Sequence, residues 1–184
     1  MRTALAKFIL LTLWGWKIET EYPKDVKSSV VVVIPHTSYW DFPIGILIRP
    51  TMHLNTQFVA KHTLFKFPLG YLMRALGGVA VNRNKALNFV DSVVAIFKKD
   101  KNFILTISPE GTRQKVDKIK RGFYQIALKA EVPIVCCKFD WGKKIIGFNQ
   151  PFYPTGDYEK DLPQILEYFK GAKGYYPDWD FEIN

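Results

Sequence analysis

Two side chains suited to proton transfer, His36 and Asp41, stand five positions apart just after an apolar stretch. Imidazole exchanges a proton near neutral pH, and a carboxylate on one ring nitrogen leaves the other nitrogen free to act as a base. Residues five apart on a continuous helix point in different directions, so the pairing requires a turn that leads into a helix start. Ser38 with Asp41 resembles a capping box at that start. The plain alternative is a surface hydrogen bond or a helix cap.

Two further polar groups also follow apolar stretches, and both contain an arginine. They are Arg83 and the run Glu110-Gly111-Thr112-Arg113. A guanidinium group binds phosphate through two parallel hydrogen bonds, and glycine permits close approach of the backbone. Glu110 can hold an arginine in place for such a contact. Taken alone, any one of these cations can equally be a solvated surface charge.

The elements that position these groups are short apolar strands that alternate with helices. Residues 30–34 are four valines and an isoleucine, too short for a helix and rich in β-branched residues. Further strands are expected at 55–60, 79–81, 103–107, 133–139 and 143–148, and helices at 42–48, 69–76, 86–99, 122–130 and 157–170. The pattern predicts a single α/β domain with a largely parallel or mixed sheet flanked by helices. Ligands of such sheets bind beyond the carboxyl ends of the strands, where all three polar groups fall.

The amino terminus is the most apolar part of the chain. Residues 4–16 are expected to form one helix, and we assign residues 1–18 to this apolar or interfacial helix and residues 19–184 to the α/β domain. The stretch is shorter than the roughly 20 residues of a membrane span. Lys7 interrupts it and no small-x-small cleavage site precedes Glu19, which argues against a signal peptide. The helix can lie in the headgroup layer or pack on its own domain.

The composition limits the class of partner. The chain has 184 residues and a net charge of +9, which favours anionic membranes, phosphorylated substrates or an acidic carrier protein. The lysines are scattered and no nucleic-acid motif is present, so we expect no nucleic-acid partner. Cys136 and Cys137 are adjacent, which indicates reduced core residues. The spacing of the three histidines and Asp41 matches no common metal site.

Taken in order, these segments resemble the glycerolipid acyltransferase family, typified by 1-acylglycerol-3-phosphate acyltransferases. His36 to Asp41 is similar to the family's His-x4-Asp motif, and residues 77–83 resemble its glycine-rich turn followed by an arginine. Pro109 to Arg113 resembles its third motif, and residues 132–135 resemble its apolar strand led by Val-Pro. The resemblance covers roughly residues 28–140. The His-x4-Asp motif alone is weak evidence for the family, whereas the four motifs in this order are strong evidence.

The resemblance implies transfer of a fatty acyl chain from an acyl thioester to the free hydroxyl of lysophosphatidate, which gives phosphatidic acid in phospholipid synthesis. The thioester co-substrate would be acyl-coenzyme A or an acylated acyl carrier protein, and no cofactor is expected. His36 and Asp41 would form the base dyad, and the acceptor would be bound by Arg83, Glu110, Gly111, Thr112, Arg113 and Lys61. The apolar segments 42–48 and 65–76 can line an acyl-chain groove or belong to the core.

The same resemblance implies an anionic membrane surface as partner and a peripheral or monotopic place on the cytoplasmic face of the membrane. Three alternatives stay open: an acyltransferase for another lysophospholipid or a lyso-aminolipid, a thioester hydrolase, and a non-catalytic membrane-binding protein. The arginine motifs argue against the hydrolase, which needs no acceptor site. The dyad argues against the non-catalytic protein.

Overall fold

A computed structural model describes residues 2–81 and 86–183 of the chain. The strands in this part of the chain are β1 (Lys17–Ile18), β2 (Ser29–Ile34), β3 (Thr56–Lys61), β4 (Gly78–Val81), β5 (Ile104–Ile107), β6 (Ile134–Asp140) and β7 (Ile145–Phe148). They form one seven-stranded sheet of order β1-β7-β6-β2-β5-β3-β4. Neighbouring strands are parallel except β6 and β7, which are antiparallel. The expected largely parallel sheet is confirmed.

Helices cover both faces of the sheet. They are α1 (Arg2–Lys7), a π-helix (Phe8–Leu13), α2 (Asp41–Thr51), a 3-10 turn (His62–Phe65), α3 (Leu69–Ala75), α4 (Ala86–Lys99), α5 (Gly122–Ala130), α6 (Tyr158–Glu167) and a 3-10 turn (Pro177–Trp179). Side chains of α4, α5 and α6 share one core cluster with Val30, Val32 and Ile34. Side chains of the amino-terminal helix and α2 share the other cluster with Val31 and Val33. The apolar run of β2 is continuous because both of its faces are buried.

The helices 86–99 and 122–130 have the expected bounds, whereas two other expectations need correction. The amino-terminal helix ends at Leu13, not at Trp16. Trp16 is buried in the core, with 2% of its surface exposed, and the next two residues form β1. Lys17–Ile18 pairs with β7 and so belongs to the sheet. The division of the chain after residue 18 stays a prediction. The final helix, expected at 157–170, begins at Tyr158 with Asp157 as its N-cap and ends at Glu167; Pro163 lies inside it, against the usual preference.

The parallel strands deliver their loops to one edge of the sheet. The loop with His36 follows β2, the loop with Glu110 follows β5, and Trp141 follows β6. Parallel neighbours end at the same side, so residues distant in sequence meet there. This edge carries the candidate site.

Candidate active site

His36 and Asp41 are in contact at the carboxyl end of β2. The Nδ1 atom of His36 lies 2.9 Å from Oδ2 of Asp41. The His36 side chain is 22% exposed and that of Asp41 only 3%, so the carboxylate is buried beneath an imidazole that reaches solvent. This geometry places the hydrogen on Nδ1 and leaves Nε2 as the free base. The turn into α2 makes the contact possible, as the spacing required.

Asp41 is fixed by two more donors. Its Oδ2 accepts a hydrogen bond from the backbone N–H of Ser38 at 3.1 Å, which is one half of the expected capping box. The other half differs: the Ser38 hydroxyl accepts from the backbone N–H of Trp40 at 3.1 Å, and Trp40 is the N-cap of α2. Its Oδ1 accepts from Nε1 of Trp141 at 2.8 Å. Both carboxylate oxygens are therefore satisfied in a buried position.

Trp141 was not among the residues singled out from the sequence. Its ring makes edge-to-face contacts with Trp16 at 4.9 Å and with Tyr175 at 4.8 Å between ring centroids. These contacts aim the indole N–H at Asp41 across 100 positions of sequence. The usable signal was its place directly after β6, a strand parallel to β2.

Glu110 supports the His36 loop instead of holding Arg113. Its Oε1 accepts a hydrogen bond from the His36 backbone N–H at 3.3 Å, and its Oε2 accepts from the Ser108 hydroxyl at 2.9 Å. The residue is 3% exposed. Arg113 instead donates from Nε to the Ser38 carbonyl at 3.3 Å and lies over the Tyr39 ring at 3.9 Å. Glu110 was expected to hold an arginine in place; among the described residues its carboxyl group is instead used by the His36 backbone and the Ser108 hydroxyl.

Burial raises the pKa of Glu110 to about 7, although the hydrogen bonds from Ser108 and the His36 N–H act in the opposite direction. In the unfolded chain the same group loses its proton near pH 4.5. Between these two values the unfolded state binds fewer protons, so the free energy of unfolding falls as the pH rises. Glu110→Gln keeps the shape without the titration, and we expect its stability relative to the natural protein to rise by about 3 kcal/mol across this window.

Denaturant unfolding of both proteins at intervals from pH 4.5 to pH 8 measures this difference. The assignment requires the two stability curves to diverge as the pH rises. A constant offset between them over the whole range would contradict the buried, protonated carboxyl.

The remaining residues of the third motif line the same edge. Gly111 has a φ of +69°, a conformation that favours glycine, and the Lys120 side chain lies against it where a Cβ would collide. Thr112 is exposed and its hydroxyl accepts from the backbone N–H of Gln114 at 3.3 Å. The side chains of Arg113 and Lys120 therefore bring two cations to this edge. Arg83 lies outside the described residues, as does the side chain of Lys61, so their roles stay predictions.

A cavity of about 430 Å³ opens beside the dyad, between one face of the sheet and the helices α2 and α3. Its polar lining includes His36, Asp41, Ser108, Thr112 and Arg113. Its apolar lining includes Val31, Val33, Phe42, Ile46, Ile48, Phe58, Val59, Leu64, Met73, Cys137, Phe139 and Phe148. Both apolar segments that flank the dyad in sequence thus contribute side chains to the cavity.

Arg49, which the sequence reasoning missed, lines this cavity eight residues along α2 from Asp41. That separation is about 12 Å on a helix. Its guanidinium donates to the Leu76 carbonyl, and burial lowers its pKa. The cavity therefore runs along α2 from His36 and Asp41 to the guanidinium of Arg49, which the Leu76 carbonyl holds in place.

His36 and Asp41 are thus in contact at the carboxyl edge of a mostly parallel sheet, where ligands of such sheets bind, next to a largely apolar cavity that Arg49 and Arg113 also line. The acyltransferase family model matches residues 17–140, two thirds of the chain, and this chain belongs to that family.

Two proteins with known names are similar to this chain. A 1-acyl-sn-glycerol-3-phosphate acyltransferase of Cocos nucifera is 28% identical over 133 residues, which is 69% of this chain. The match spans only 42% of that curated relative's length. The crystal structure of PlsC, the 1-acyl-sn-glycerophosphate (LPA) acyltransferase of Thermotoga maritima, superposes with a TM-score of 0.61 and 24% identity. It covers 91% of this chain and 74% of the other, and supports the shared fold.

Proposed function

We propose that this protein transfers a fatty acyl chain from an acyl thioester to the free hydroxyl of lysophosphatidate and so forms phosphatidic acid for phospholipid synthesis. The observation that carries the proposal is the His36–Asp41 contact of 2.9 Å at the mouth of the apolar cavity. The family match and the name of the coconut relative support the reaction class and the acceptor.

In this mechanism Nε2 of His36 removes the proton from the acceptor hydroxyl as its oxygen attacks the thioester carbonyl carbon. Asp41 holds the Nδ1 hydrogen and stabilises the imidazolium. The tetrahedral intermediate then collapses, the carbon–sulfur bond breaks, and the imidazolium proton passes to the departing thiolate. Oxygen and sulfur exchange on one carbonyl carbon, and no acyl-enzyme is required.

Cations near the dyad are assigned to the phosphate of the acceptor. Arg113 is already oriented by the Ser38 carbonyl and the Tyr39 ring, and its guanidinium lines the cavity rim. Lys120 approaches the same loop at Gly111, Lys61 is the last residue of β3, and Arg83 stands two positions after the neighbouring strand β4 in the sequence. A phosphomonoester suits several converging cations better than a zwitterionic headgroup does, which favours lysophosphatidate over lyso-aminolipids.

The cavity is assigned to the acyl chain. Gly45 supports this assignment, because glycine in a helix interior costs about 1 kcal/mol relative to alanine. A Cβ at Gly45 would meet nothing within 4 Å, so no neighbour requires the glycine. Gly45 lines the cavity, and the missing side chain keeps the space beside Phe42 and Arg49 open.

We expect Gly45→Phe to lower kcat/KM at least about tenfold for a palmitoyl thioester, because the ring would occupy space that the chain needs. A butyryl thioester should be used within about threefold of the natural rate, since a short chain does not reach the ring. Initial rates with both donors measure the split, and Gly45→Ala is the matched control with little effect on either. Equal losses for both donors would contradict the assignment.

We assign the protein to the cytoplasmic face of the membrane, as a peripheral or monotopic protein that takes its acceptor from an anionic surface. Among the described residues, none of the helices combines the length and apolarity needed to cross a bilayer. The amino-terminal helix buries Leu10 completely yet exposes Leu5, Phe8 and Leu13 by 60%, 51% and 63%. It therefore packs on its own domain with one side and offers apolar side chains on another, which suits an interfacial helix.

An acceptor panel tests the proposed function. Purified protein is supplied with a long-chain acyl-coenzyme A, or acyl-carrier protein, and with lysophosphatidate, lysophosphatidylcholine or a lyso-aminolipid in mixed micelles. Phosphatidic acid from the first acceptor at the highest rate is the expected product by mass spectrometry. A faster reaction with another acceptor would overturn the choice of substrate, and free fatty acid alone would identify a hydrolase.

A further inference from the structure

The segment of residues 64–74, which we call the α3 segment, exposes large apolar side chains on its outer face. Phe67 is 86% exposed, Tyr71 73% and Leu72 54%, and the rings of Phe67 and Tyr71 touch edge to face at 6.4 Å. The inner side is packed: Phe65 is 7% exposed and Gly70 rests on its backbone. An outer face made of aromatic and aliphatic groups is unusual for a helix that stays in water.

The charged residues of the sequence around the α3 segment have one sign. Between Asp41 and Asp91 the sequence contains no aspartate or glutamate, although the whole chain has 17 acidic residues. The same interval carries six cations: Arg49, Lys61, Lys66, Arg74, Arg83 and Lys85. Lys66 and Arg74 are exposed within the α3 segment itself. Exposed aromatic rings between cations match the interface of an anionic bilayer, where rings enter the headgroup layer and cations meet lipid phosphates.

The α3 segment also forms one wall of the cavity. Leu64 and Met73 face the cavity, opposite Phe42 and Arg49 of α2. The exposed face and the cavity wall thus belong to the same short segment. A bilayer resting on the outer face would lie beside the cavity in which the proposed function places the acyl chain.

We propose that the α3 segment is a second lipid-docking surface, separate from the amino-terminal helix, which seats the cavity mouth on an anionic bilayer. This inference rests on the proposed function for the identity of the site. The binding that it predicts is to the membrane alone. With two docking elements, the hydroxyl of a lipid acceptor reaches His36 while the acceptor's own acyl chain stays in the bilayer. An acidic carrier protein would also match the cations, but it does not account for an 86% exposed phenylalanine as well as a lipid interface does.

Binding to vesicles tests the proposal without any turnover, so its failure is distinct from failure of the proposed function. The probe is a vesicle of phosphatidylglycerol and phosphatidylcholine, and the variant is Phe67→Ser with Tyr71→Ser, neither of which lines the cavity. We expect the partition coefficient to fall about tenfold or more, because two large apolar side chains no longer enter the interface. Thermal unfolding confirms that the variant is folded.

Tyr153→Ser is the matched control. Tyr153 is 65% exposed but follows Phe152, which pairs with Ile134 at the start of β6, on the opposite edge of the sheet from the dyad. Its partition coefficient should stay within about twofold of the natural value. Equal vesicle binding by the natural protein and the double variant would overturn the proposal. The proposal would also be overturned if the natural protein did not bind vesicles. The same holds if the double variant lost binding to acyl carrier protein but kept its binding to vesicles.

Discussion

Replacing His36 by alanine is expected to lower kcat for acyl transfer about 1000-fold, since a positioned general base contributes this order of rate acceleration. The fold should persist. The His36 side chain is partly exposed, and Asp41 keeps its hydrogen bonds from Ser38 and Trp141. The measurement is kcat from phosphatidic acid formation, together with the midpoint of thermal unfolding.

His53→Asn is the control for loss of a histidine. His53 is exposed and has a φ of +57°, a conformation that asparagine tolerates, so this variant should keep kcat within about twofold. Retention of activity in folded His36→Ala protein would remove His36 from the chemistry. A loss in both histidine variants would point to a general effect on the protein.

Replacing Asp41 by asparagine is expected to lower kcat by about 100-fold to 10,000-fold, although the two side chains have nearly the same shape. Asp41 accepts from three donors, on His36, Ser38 and Trp141. Asparagine has only one oxygen. If that oxygen faces His36, the amide N–H opposes the indole N–H of Trp141. If it faces Trp141, the amide donates to Nδ1, the imidazole hydrogen moves to Nε2, and no base remains.

A double-mutant cycle with Trp141→Phe distinguishes these two orientations. Phenylalanine keeps an aromatic ring against Trp16 and Tyr175 but removes the N–H donor. With the opposing donor absent, the asparagine oxygen can face His36, so Asp41→Asn should cost less in the Trp141→Phe background. Strict additivity of the two losses in kcat would contradict a positioning role for Trp141.

Much of the fold and part of the site could be predicted from local sequence. The apolar run of β2, the helix at 122–130 and the turn between His36 and Asp41 depend on neighbours close in the chain. The parallel strand order then implied that the loops after β2 and β5 meet at one edge. The contact between the His36 loop and Glu110 follows from that order.

The partners of the buried carboxylates could not be predicted, because they depend on packing between distant segments. Asp41 is joined to Trp141 across 100 positions, and the indole is aimed by Trp16 and Tyr175 from the two ends of the chain. Glu110 was expected near an arginine, but a buried carboxyl beneath a loop is satisfied by the nearest N–H and hydroxyl. The spacing of residues in the sequence therefore predicts neither the partner of Asp41 nor the partners of Glu110.

The most direct test of direct acyl transfer by the dyad is to follow thiol release and lipid product together in one reaction. The natural protein receives a long-chain acyl-coenzyme A with and without lysophosphatidate, and the His36→Ala protein serves as the blank. The account predicts one phosphatidic acid for each thiol released, no thiol release without acceptor, and neither product from the variant. Thiol released by the natural protein without acylated lipid would contradict it.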